Sequence, residues 1–284
     1  KGPRSRVAGV ISGSTRLAAV IGNPVRHSLS PALHNAGFAS TGVDWMYAAF
    51  EVGPGEAAAA LDAMRVFGLG GLSITMPHKE DVARLVDELD PAAAVLRSVN
   101  TVVPLGDGRL RGYSTDGPGF VASLLADDVD VTGKSVCVLG AGGAARAIVD
   151  AVSRAGAKSI TIVNRSTRRA EEAASLVGIG VVGEPDDISD SDIVINATAI
   201  GMGTNDMPCD AAMLRREQVI ADIVYHPRDT ALLSAARNIG AKTVEGLGML
   251  VHQAVLQQRL WTGTSPDAAV LWAAAERELA TRGQ

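Results

Sequence analysis

The chain has 284 residues, of which 47% are hydrophobic and 4% aromatic, and its formal net charge is −5. This length leaves room for two domains that each bury a core, and the negative charge argues against nucleic acid as the main partner. No stretch approaches the roughly 18 apolar residues of a membrane span, and two cysteines do not form a disulfide framework. We therefore expect a cytoplasmic globular protein that acts on small molecules, as a monomer or homodimer.

The beginning of the chain combines a basic leader with a possible anion site. Residues 1–15 are rich in Gly and Ser, lack the apolar run of a signal peptide and are expected to be poorly ordered. Leu17–Ile21 predicts the first strand, and Pro31 predicts a helix start with Ser30 as its N-cap. If the approach is extended, Ser28 and Ser30 point the same way and would bind a small anion beside the helix N-terminus. Capping alone also explains Ser30, so both interpretations stay open.

A lysine stands at an unusual place in the next segment. Trp45–Phe50 predicts a second strand and Gly55–Phe67 a helix. Pro77 then predicts a new helix start, with Lys79 in its first turn. A cation is electrostatically unfavourable there because the helix dipole favours acids at this end. The unfavourable position of Lys79 suggests a functional role, although an exposed lysine is ordinarily only a solvated charge.

A hairpin precedes the second half of the chain. Ser98–Val103 and Arg109–Tyr113 flank Gly106-Asp107-Gly108, which predicts two antiparallel strands. A helix is predicted from about Phe120 to Ala126, and Asp116, just before it, could simply cap that helix.

The clearest pattern is a strand, a glycine turn, a helix and a second strand between Ser135 and Arg169. Its first turn carries G-x-G-x-x-A, the fingerprint of dinucleotide binding. Gly140 permits the tight turn and Gly142 lets a pyrophosphate approach the backbone, while the first helix amides face the phosphates. An ordinary glycine turn is the alternative, but the flanking strands and the spacing favour a dinucleotide site. The turn reads Gly140, Ala141, Gly142, Gly143, Ala144 and Ala145.

The end of the second strand of this unit predicts the cofactor. NAD sites usually place an acid there to hold the ribose 2′-hydroxyl. Here the segment is Asn164-Arg165-Ser166-Thr167-Arg168-Arg169, which contains no acid. A guanidinium can bind a 2′-phosphate bidentately, whereas a carboxylate would repel it. We predict NADP, with a solvated basic helix start as the alternative.

The remaining pattern completes a two-domain α/β plan. Short strands are predicted at Ile179–Val182, Ile193–Ile195, Val219–Ile223 and Lys242–Val244, and a helix at Thr230–Ile239. Gly246-Leu247-Gly248 interrupts the pattern before a long helix from Met249 to about Trp261. Ser265-Pro266-Asp267 predicts the start of the last helix, with Ser265 as its cap. We predict a substrate domain at 16–118 with 252–284, and a Rossmann domain at 119–251. The histidines lack metal-ligand spacing, so no metal is expected.

These segments together resemble the shikimate dehydrogenase family, NADP-dependent enzymes with a substrate domain, a Rossmann domain and an active site in the cleft between them. The similarity runs from about Arg16 to the last helix and rests on a set of short motifs in the family's order. They are Gly22-Asn23-Pro24, Ser28-Leu29-Ser30-Pro31, Thr75-Met76-Pro77-His78-Lys79, Val99-Asn100-Thr101, Thr115-Asp116-Gly117, Gly140–Ala145, Asn164-Arg165-Ser166, Asn196-Ala197-Thr198, Gly201-Met202, Tyr225 and Gly248-Met249-Leu250 with Gln253.

The resemblance implies a role for each motif. Lys79 and Asp116 would be the catalytic pair. Ser28 and Ser30 would bind the substrate carboxylate with Tyr225 closing over it, and Thr75, Asn100 and Gln253 would bind the ring hydroxyls. The cofactor-binding set it implies comprises Gly140, Ala141, Gly142, Gly143, Ala144, Asn164, Arg165, Ser166, Arg168, Thr198, Met202 and Gly246.

Two departures from the family pattern, at Ser73 and Ser114, leave the substrate open, and a third at Ala199 has less weight. The family usually has Asn where this chain has Ser73 and Ser114, and often Ser where it has Ala199. Serine reaches less far than asparagine and offers a different set of donors and acceptors. A quinate/shikimate or aminoshikimate dehydrogenase, or a non-catalytic NADP-binding regulator of the same fold, therefore stay as alternatives.

Overall fold

The structure is a computed structural model and describes residues 11–282. It divides the chain into two compact units. The first runs to Ser114 and takes up the chain again from Ala254, while the second runs from Thr115 to Gln253. The predicted domains placed 115–118 and 252–253 in the first of these. Residues 1–10 of the predicted leader lie outside the described range, and Thr15 donates a hydrogen bond from its hydroxyl to Asp44.

The first unit is built on a mixed six-stranded sheet with strand order β2-β1-β3-β5-β6-β4. Strand β1 is parallel to β2 and β3, β5 is antiparallel to β3 and β6, and β4 is parallel to β6. The predicted hairpin is therefore confirmed. The elements are β1 (Arg16–Gly22), α1 (Ser30–Thr41), β2 (Trp45–Glu51), α2 (Ala57–Phe67), β3 (Gly71–Ile74), α3 (Lys79–Leu85), β4 (Glu88–Leu89), α4 (Pro91–Leu96), β5 (Thr101–Pro104), β6 (Leu110–Tyr113) and, near the end of the chain, α10 (Ala268–Thr281).

The second unit has an all-parallel sheet with strand order β12-β11-β10-β7-β8-β9. The chain winds outward from β7 in one direction and then resumes on the other side of it at β10, which is the doubly wound order of a Rossmann domain. The elements are α5 (Asp116–Ala126), β7 (Ser135–Leu139), α6 (Gly143–Arg154), β8 (Ser159–Val163), α7 (Thr167–Ala174), β9 (Gly180–Val182), β10 (Ile193–Asn196), β11 (Val219–Asp222), α8 (Ala231–Asn238) and β12 (Lys242–Val244), with 3₁₀ turns at Pro185–Ile188 and Ala211–Met213. Helix α9 (Gly246–Thr262) runs from the second unit into the first.

The central strand β7 shows why the second unit folds this way. Val136 and Val138 pack into one core cluster, whereas Cys137 and Leu139 pack into another. Successive side chains point to opposite faces of a strand, so both faces of this sheet are buried under helices. The predicted α/β fold class with a Rossmann domain is confirmed.

Two predicted N-caps, one in the first unit and one at the chain's end, were wrong. Helix α1 has Leu29 as its N-cap, and the Ser30 N–H donates to the Ser28 hydroxyl at 3.1 Å. Ser30 thus lies inside the first turn and caps nothing. Helix α10 is capped by Asp267, whose carboxylate accepts from the Ala269 N–H at 2.9 Å, so Ser265 is not its cap.

The other two wrong predictions concern glycines that lie inside helices. Helix α5 begins at Asp116 rather than Phe120, so Asp116 is its first residue and Thr115 its N-cap. Helix α9 begins at Gly246, so the Gly246–Gly248 segment does not interrupt the pattern. A Cβ on Gly246 would lie 2.5 Å from the Ile223 backbone, so this glycine is required for close packing. Over residues 11–282, no helix is both long and apolar enough to cross a membrane.

Candidate functional site

The candidate cofactor residues follow the carboxyl ends of neighbouring parallel strands in the second unit. Gly140 follows β7, Asn164 follows β8, Thr198 comes after β10 and Gly246 after β12. In a doubly wound sheet these ends meet at one edge, and ligands bind where the strand order reverses, here between β7 and β10. The fold therefore collects residues that the sequence spreads over more than 100 positions.

The first turn of α6 suits a pyrophosphate. Its N-cap Gly142 has no side chain to accept from the first amides, and no acid lies in the first turn. Gly142 is exposed, and no atom lies within 4 Å of where its Cβ would be. The backbone N–H groups and the positive end of the helix dipole thus have room for an anion. Gly140 has φ +110°, and a Cβ there would lie 2.9 Å from Thr198 Cγ2, which explains the glycine at this turn.

Arg165 and Arg168 differ although both are exposed at the start of α7. Arg168 forms an i,i+4 ion pair with Glu172. Arg165 forms no ion pair or side-chain hydrogen bond with any residue between 11 and 282. The turn that carries it is shaped by Asn164, whose Nδ2 donates to the Ser166 carbonyl at 3.0 Å. Of the two guanidiniums, Arg165 is the one without a competing carboxylate.

A buried hydrogen-bond cluster supports the turn that carries Thr198. Asn196 Oδ1 accepts from the Thr198 N–H at 3.1 Å and from its hydroxyl at 2.7 Å. Asn196 Nδ2 in turn donates to Asp222 at 2.9 Å, and the Thr230 hydroxyl donates to the same carboxylate at 2.8 Å. Burial raises the pKa of Asp222 above its ordinary value. Met202, farther along this turn, is 47% exposed.

Two glycines fix Asp116 against the rest of the second unit. A Cβ on Gly117 would lie 2.3 Å from the Ala147 carbonyl oxygen of α6, and one on Gly119 would lie 2.7 Å from the Gln253 backbone nitrogen of α9. Helix α5 therefore packs directly on the backbones of α6 and α9. Asp116, the first residue of α5, is buried, so its position depends on these contacts. Gln253 is also buried, with its Nε2 donating to the Leu250 carbonyl at 2.9 Å, and Tyr225 is half-buried after β11.

Backbone hydrogen bonds link the segments that carry three of the predicted residues of the first unit. The Thr75 N–H donates to Ile21, and the neighbouring Ile74 N–H donates to the Asn100 carbonyl at 2.8 Å. The Val99 N–H, next to Asn100, donates to the Lys79 carbonyl at 3.0 Å. The structure thus brings Thr75, Lys79 and Asn100 together. Lys79 is the first residue of α3, as predicted, with His78 as the N-cap and acids at Glu80 and Asp81 behind it.

The segment that carries Ser28 is held by a residue from the far end of the chain. Arg282 Nη1 donates to the His27 carbonyl at 2.7 Å, and Nη2 donates to the Ser28 carbonyl at 3.4 Å. The same guanidinium pairs with Glu278 one turn earlier in α10. Sequence reasoning missed Arg282, because its partners are backbone carbonyls more than 250 residues away.

The two serine departures behave differently. Ser73 is engaged on both sides, since its hydroxyl accepts from Tyr47 Oη at 2.6 Å and donates to Gln257 Oε1 at 2.9 Å. Ser114 is also buried, but its hydroxyl has no hydrogen-bond partner within the described part of the chain. Sequence reasoning missed Gln257 as well; its signal was its position one helical turn after Gln253 on α9.

Lys79 belongs to the first unit and Asp116 to the second. No group of three His, Cys, Asp or Glu side chains between residues 11 and 282 is arranged to hold a metal ion.

Three family models cover most of the chain. Residues 20–102 match the shikimate dehydrogenase substrate binding domain, residues 122–248 match shikimate/quinate 5-dehydrogenase, and residues 246–276 match the shikimate 5′-dehydrogenase C-terminal domain.

Individual relatives are similar over nearly their whole length. The chain is 40% identical to the shikimate dehydrogenase (NADP⁺) of Moorella thermoacetica, with 92% of each chain covered. The crystal structure of shikimate 5-dehydrogenase from Thermus thermophilus in complex with NADP(H) and shikimate superposes with a TM-score of 0.88 at 35% identity, covering 92% of this chain and 99% of that one. Quinate dehydrogenase from Corynebacterium glutamicum in complex with NAD gives a TM-score of 0.86 at 31% identity, with 93% and 99% covered.

Proposed function

The chain belongs to the shikimate dehydrogenase family, and from this premise we propose that it is an NADP-dependent oxidoreductase that reversibly reduces 3-dehydroshikimate to shikimate. This step belongs to the biosynthesis of chorismate and the aromatic amino acids. The observation that carries the proposal is the pairing of an acid-free α6 N-terminus with the unpaired Arg165 at the end of the next strand. Together they form a site for a dinucleotide with an extra phosphate.

The residues present fit NADP. The amides at Gly142, Gly143 and Ala144 would hold the pyrophosphate, and Arg165 would hold the 2′-phosphate, with Asn164 and Ser166 shaping its turn. When bound, the reduced cofactor supplies the hydride for the substrate carbonyl carbon. Arg168 is predicted to contribute less than Arg165, because Glu172 already neutralises its charge. Thr198, Met202 and Gly246 would complete the site on the other side of the strand reversal.

The first unit would bind the substrate carboxylate through hydroxyl groups. Ser28 is half-buried beside the start of α1, which has no acid in its first turn, so Ser28 and Ser30 suit a small anion. Tyr225 would close over that carboxylate. Thr75, Asn100 and Gln253 would hydrogen-bond the ring hydroxyls. The backbone bond from Ile74, next to Thr75, to the Asn100 carbonyl supports the grouping of Thr75 with Asn100.

Lys79 and Asp116 would handle the proton. During reduction the Lys79 ammonium gives a proton to the developing alkoxide, and in the reverse direction the neutral amine accepts it. Asp116 would orient the ammonium. Lys79 lies in the first turn of α3, and its carbonyl accepts a hydrogen bond from the Val99 N–H. These contacts fix the Lys79 backbone, which supports a defined position for the side chain that transfers the proton.

One assay separates this proposal from the alternatives. NADP reduction is followed by absorbance with shikimate, quinate and aminoshikimate in turn, and each is repeated with NAD. The proposal expects shikimate with NADP to give the highest kcat/KM. Higher efficiency with quinate or aminoshikimate would favour those alternatives, and no reduction with any substrate would favour a non-catalytic regulator. We also propose that the enzyme works in the cytoplasm on small molecules alone, as a monomer or homodimer.

A further inference from the structure

We propose that Gln257 is a positioning residue that sets the orientation of the Asn100 amide for substrate binding, through a directed chain of buried hydrogen bonds. The inference rests on the proposed function, because it takes Asn100 to be a substrate-binding residue. It goes beyond that function by giving a role to Gln257, Thr101, Ser73 and Tyr47.

Gln257 uses every hydrogen-bonding position of its amide. Its Oε1 accepts from the Ser73 hydroxyl at 2.9 Å and from His34 Nε2 at 3.1 Å. Its Nε2 donates to the Thr101 hydroxyl at 2.9 Å and more weakly to the Asn100 carbonyl at 3.3 Å. Two acceptor and two donor positions are all that a glutamine amide offers. The side chain is 1% exposed, so no water competes for them.

The donor directions in this network are mutually consistent. Because Gln257 donates to the Thr101 oxygen, the Thr101 hydroxyl proton is available for Asn100 Oδ1, which it reaches at 2.8 Å. Because the Ser73 proton is used on Gln257, Ser73 accepts from Tyr47 Oη at 2.6 Å. His34 donates from Nε2, so its Nδ1 accepts from Gln258 Nε2 at 3.2 Å.

The neutral state of His34 is part of the same arrangement. Burial lowers its pKa to about 3, so both ring nitrogens keep these roles at neutral pH. Burial likewise raises the pKa of Tyr47 above its ordinary value, which keeps its hydroxyl a donor. The two titratable side chains in these bonds are therefore both neutral, and the donor directions hold across the neutral pH range.

The chain of hydrogen bonds ends at Asn100, a residue predicted to bind the substrate. Asn100 Oδ1 faces Thr101, so the amide nitrogen lies on the other side of the side chain. An asparagine amide has two orientations that exchange its donor and acceptor. Removing the Thr101 proton, or the Gln257 donor that directs it, would remove a hydrogen bond that favours the observed orientation. The network lies in the first unit, so its loss should affect the substrate and spare the cofactor.

The test compares Gln257→Met with Gln258→Met. Both glutamines are 1% exposed, adjacent on α9 and bonded to His34, but only Gln257 leads to Asn100. Methionine keeps the unbranched shape without the amide. We expect Gln257→Met to raise KM for shikimate about 5- to 30-fold, with a much smaller change in kcat and an unchanged KM for NADP. Gln258→Met should lower the melting temperature comparably and leave KM for shikimate within about twofold.

Thr101 provides a second test if Gln257→Met does not fold. Thr101→Val replaces the hydroxyl with a methyl group and should raise KM for shikimate similarly. Thr101→Ser keeps the hydroxyl and should keep the wild-type KM for shikimate. The Gln257→Met and Thr101→Val effects should be less than additive, because both act through Asn100.

The outcomes distinguish this inference from the proposed function. Asn100→Ala should itself raise KM for shikimate. If it does not, the proposed role of Asn100 fails. If it does while folded Gln257→Met or Thr101→Val keeps the wild-type KM, or if Gln258→Met raises KM equally, the positioning role of Gln257 is overturned.

Discussion

The candidate substrate residues of the first unit and the candidate cofactor residues of the second are held in place in different ways. In the first unit, buried side chains hold side chains: Gln257, Thr101 and Ser73 form a network that ends on Asn100. In the second unit, a side-chain cluster around Asn196 supports Thr198, but the backbone positions the other candidate cofactor residues. The α6 N-terminus, the strand ends and the close approaches at Gly140 and Gly117 set the geometry.

This difference indicates where each half is sensitive to substitution. A backbone-built site tolerates changes in surrounding side chains as long as the glycines and strand order remain. A site built on a buried polar network depends on residues that never touch the ligand, because each lost partner leaves another polar group unsatisfied. We therefore expect remote substitutions to alter substrate binding more readily than cofactor binding.

The largest expected effect comes from Lys79, which belongs to the first unit but acts on the proton rather than on binding. Lys79→Ala should reduce kcat roughly 10²- to 10⁴-fold, the usual contribution of general acid–base catalysis. KM should change little, since the group acts in the transition state. Steady-state kinetics with shikimate and NADP measure both constants.

Asp116→Asn is the companion variant from the second unit. It should show a smaller loss of the same kind, and the double variant should be less than additive. A folded Lys79→Ala enzyme that binds NADP and turns over at a near-normal rate would refute the assignment.

Arg165 tests the second unit. Arg165→Ala should weaken NADP binding by about 1.5–3 kcal/mol, the range for a hydrogen bond to a charged group, and leave NAD binding nearly unchanged. Arg169→Ala is the matched control, because Arg169 is exposed like Arg165 and lies four residues later, in the first turn of α7. Titration of each variant with both dinucleotides measures the difference. Equal losses for NADP and NAD would exclude contact with the 2′-phosphate.

Ser28 and Ser30 test carboxylate binding in the first unit. The double Ser→Ala variant should raise KM for shikimate on the order of 10-fold or more, through lost hydrogen bonds to a charged group, with NADP binding retained. Ser30 caps no helix, so its loss should cost little stability, whereas Ser28→Ala also removes the acceptor of the Ser30 N–H. Melting temperatures recorded beside the kinetics, with the exposed Ser40→Ala of the same helix as control, separate the two effects. An unchanged KM in the folded double variant would mean that the hydroxyls do not bind substrate.

The smallest effect concerns stability and pH in the buried network. Burial lowers the pKa of His34 from 6.5 to about 3, so between these values the unfolded chain binds a proton that the folded chain does not. This contribution to stability is fully present above pH 6.5 and is lost progressively as the pH falls toward 3. Between roughly pH 7.5 and 5.5 we expect the free energy of unfolding to fall by about 1.4 kcal/mol from this group.

Denaturant unfolding of wild type and His34→Gln at both pH values measures this difference. The variant lacks the titrating group, so its pH dependence should be weaker by that amount. Equal pH dependence in the two proteins would show that His34 is not held neutral.

The sequence predicted the elements whose cause is local. Apolar β-branched runs predicted the strands of the second unit to within about two residues, and the glycine turn after Leu139 was placed correctly, because these signals depend on near neighbours. The helix starts at Phe120 and Met249 were wrong because packing decided them, whereas the N-cap predicted at Ser30 was only one residue late. Gly117, Gly119 and Gly246 look like helix breakers in sequence, yet each allows one backbone to approach another.

The sequence by itself determined the family, the fold class and the residue types of the candidate site. Motif order and strand periodicity can be identified from residues that are close together in the sequence. Only the tertiary structure decided how those residues are supported. Gln257 meets Asn100 across more than 150 positions, and Arg282 meets Ser28 across more than 250. Hydrogen bonds between such distant residues leave no periodic or neighbouring signal, because they exist only once the sheet and helices have packed and excluded water from the polar groups between them.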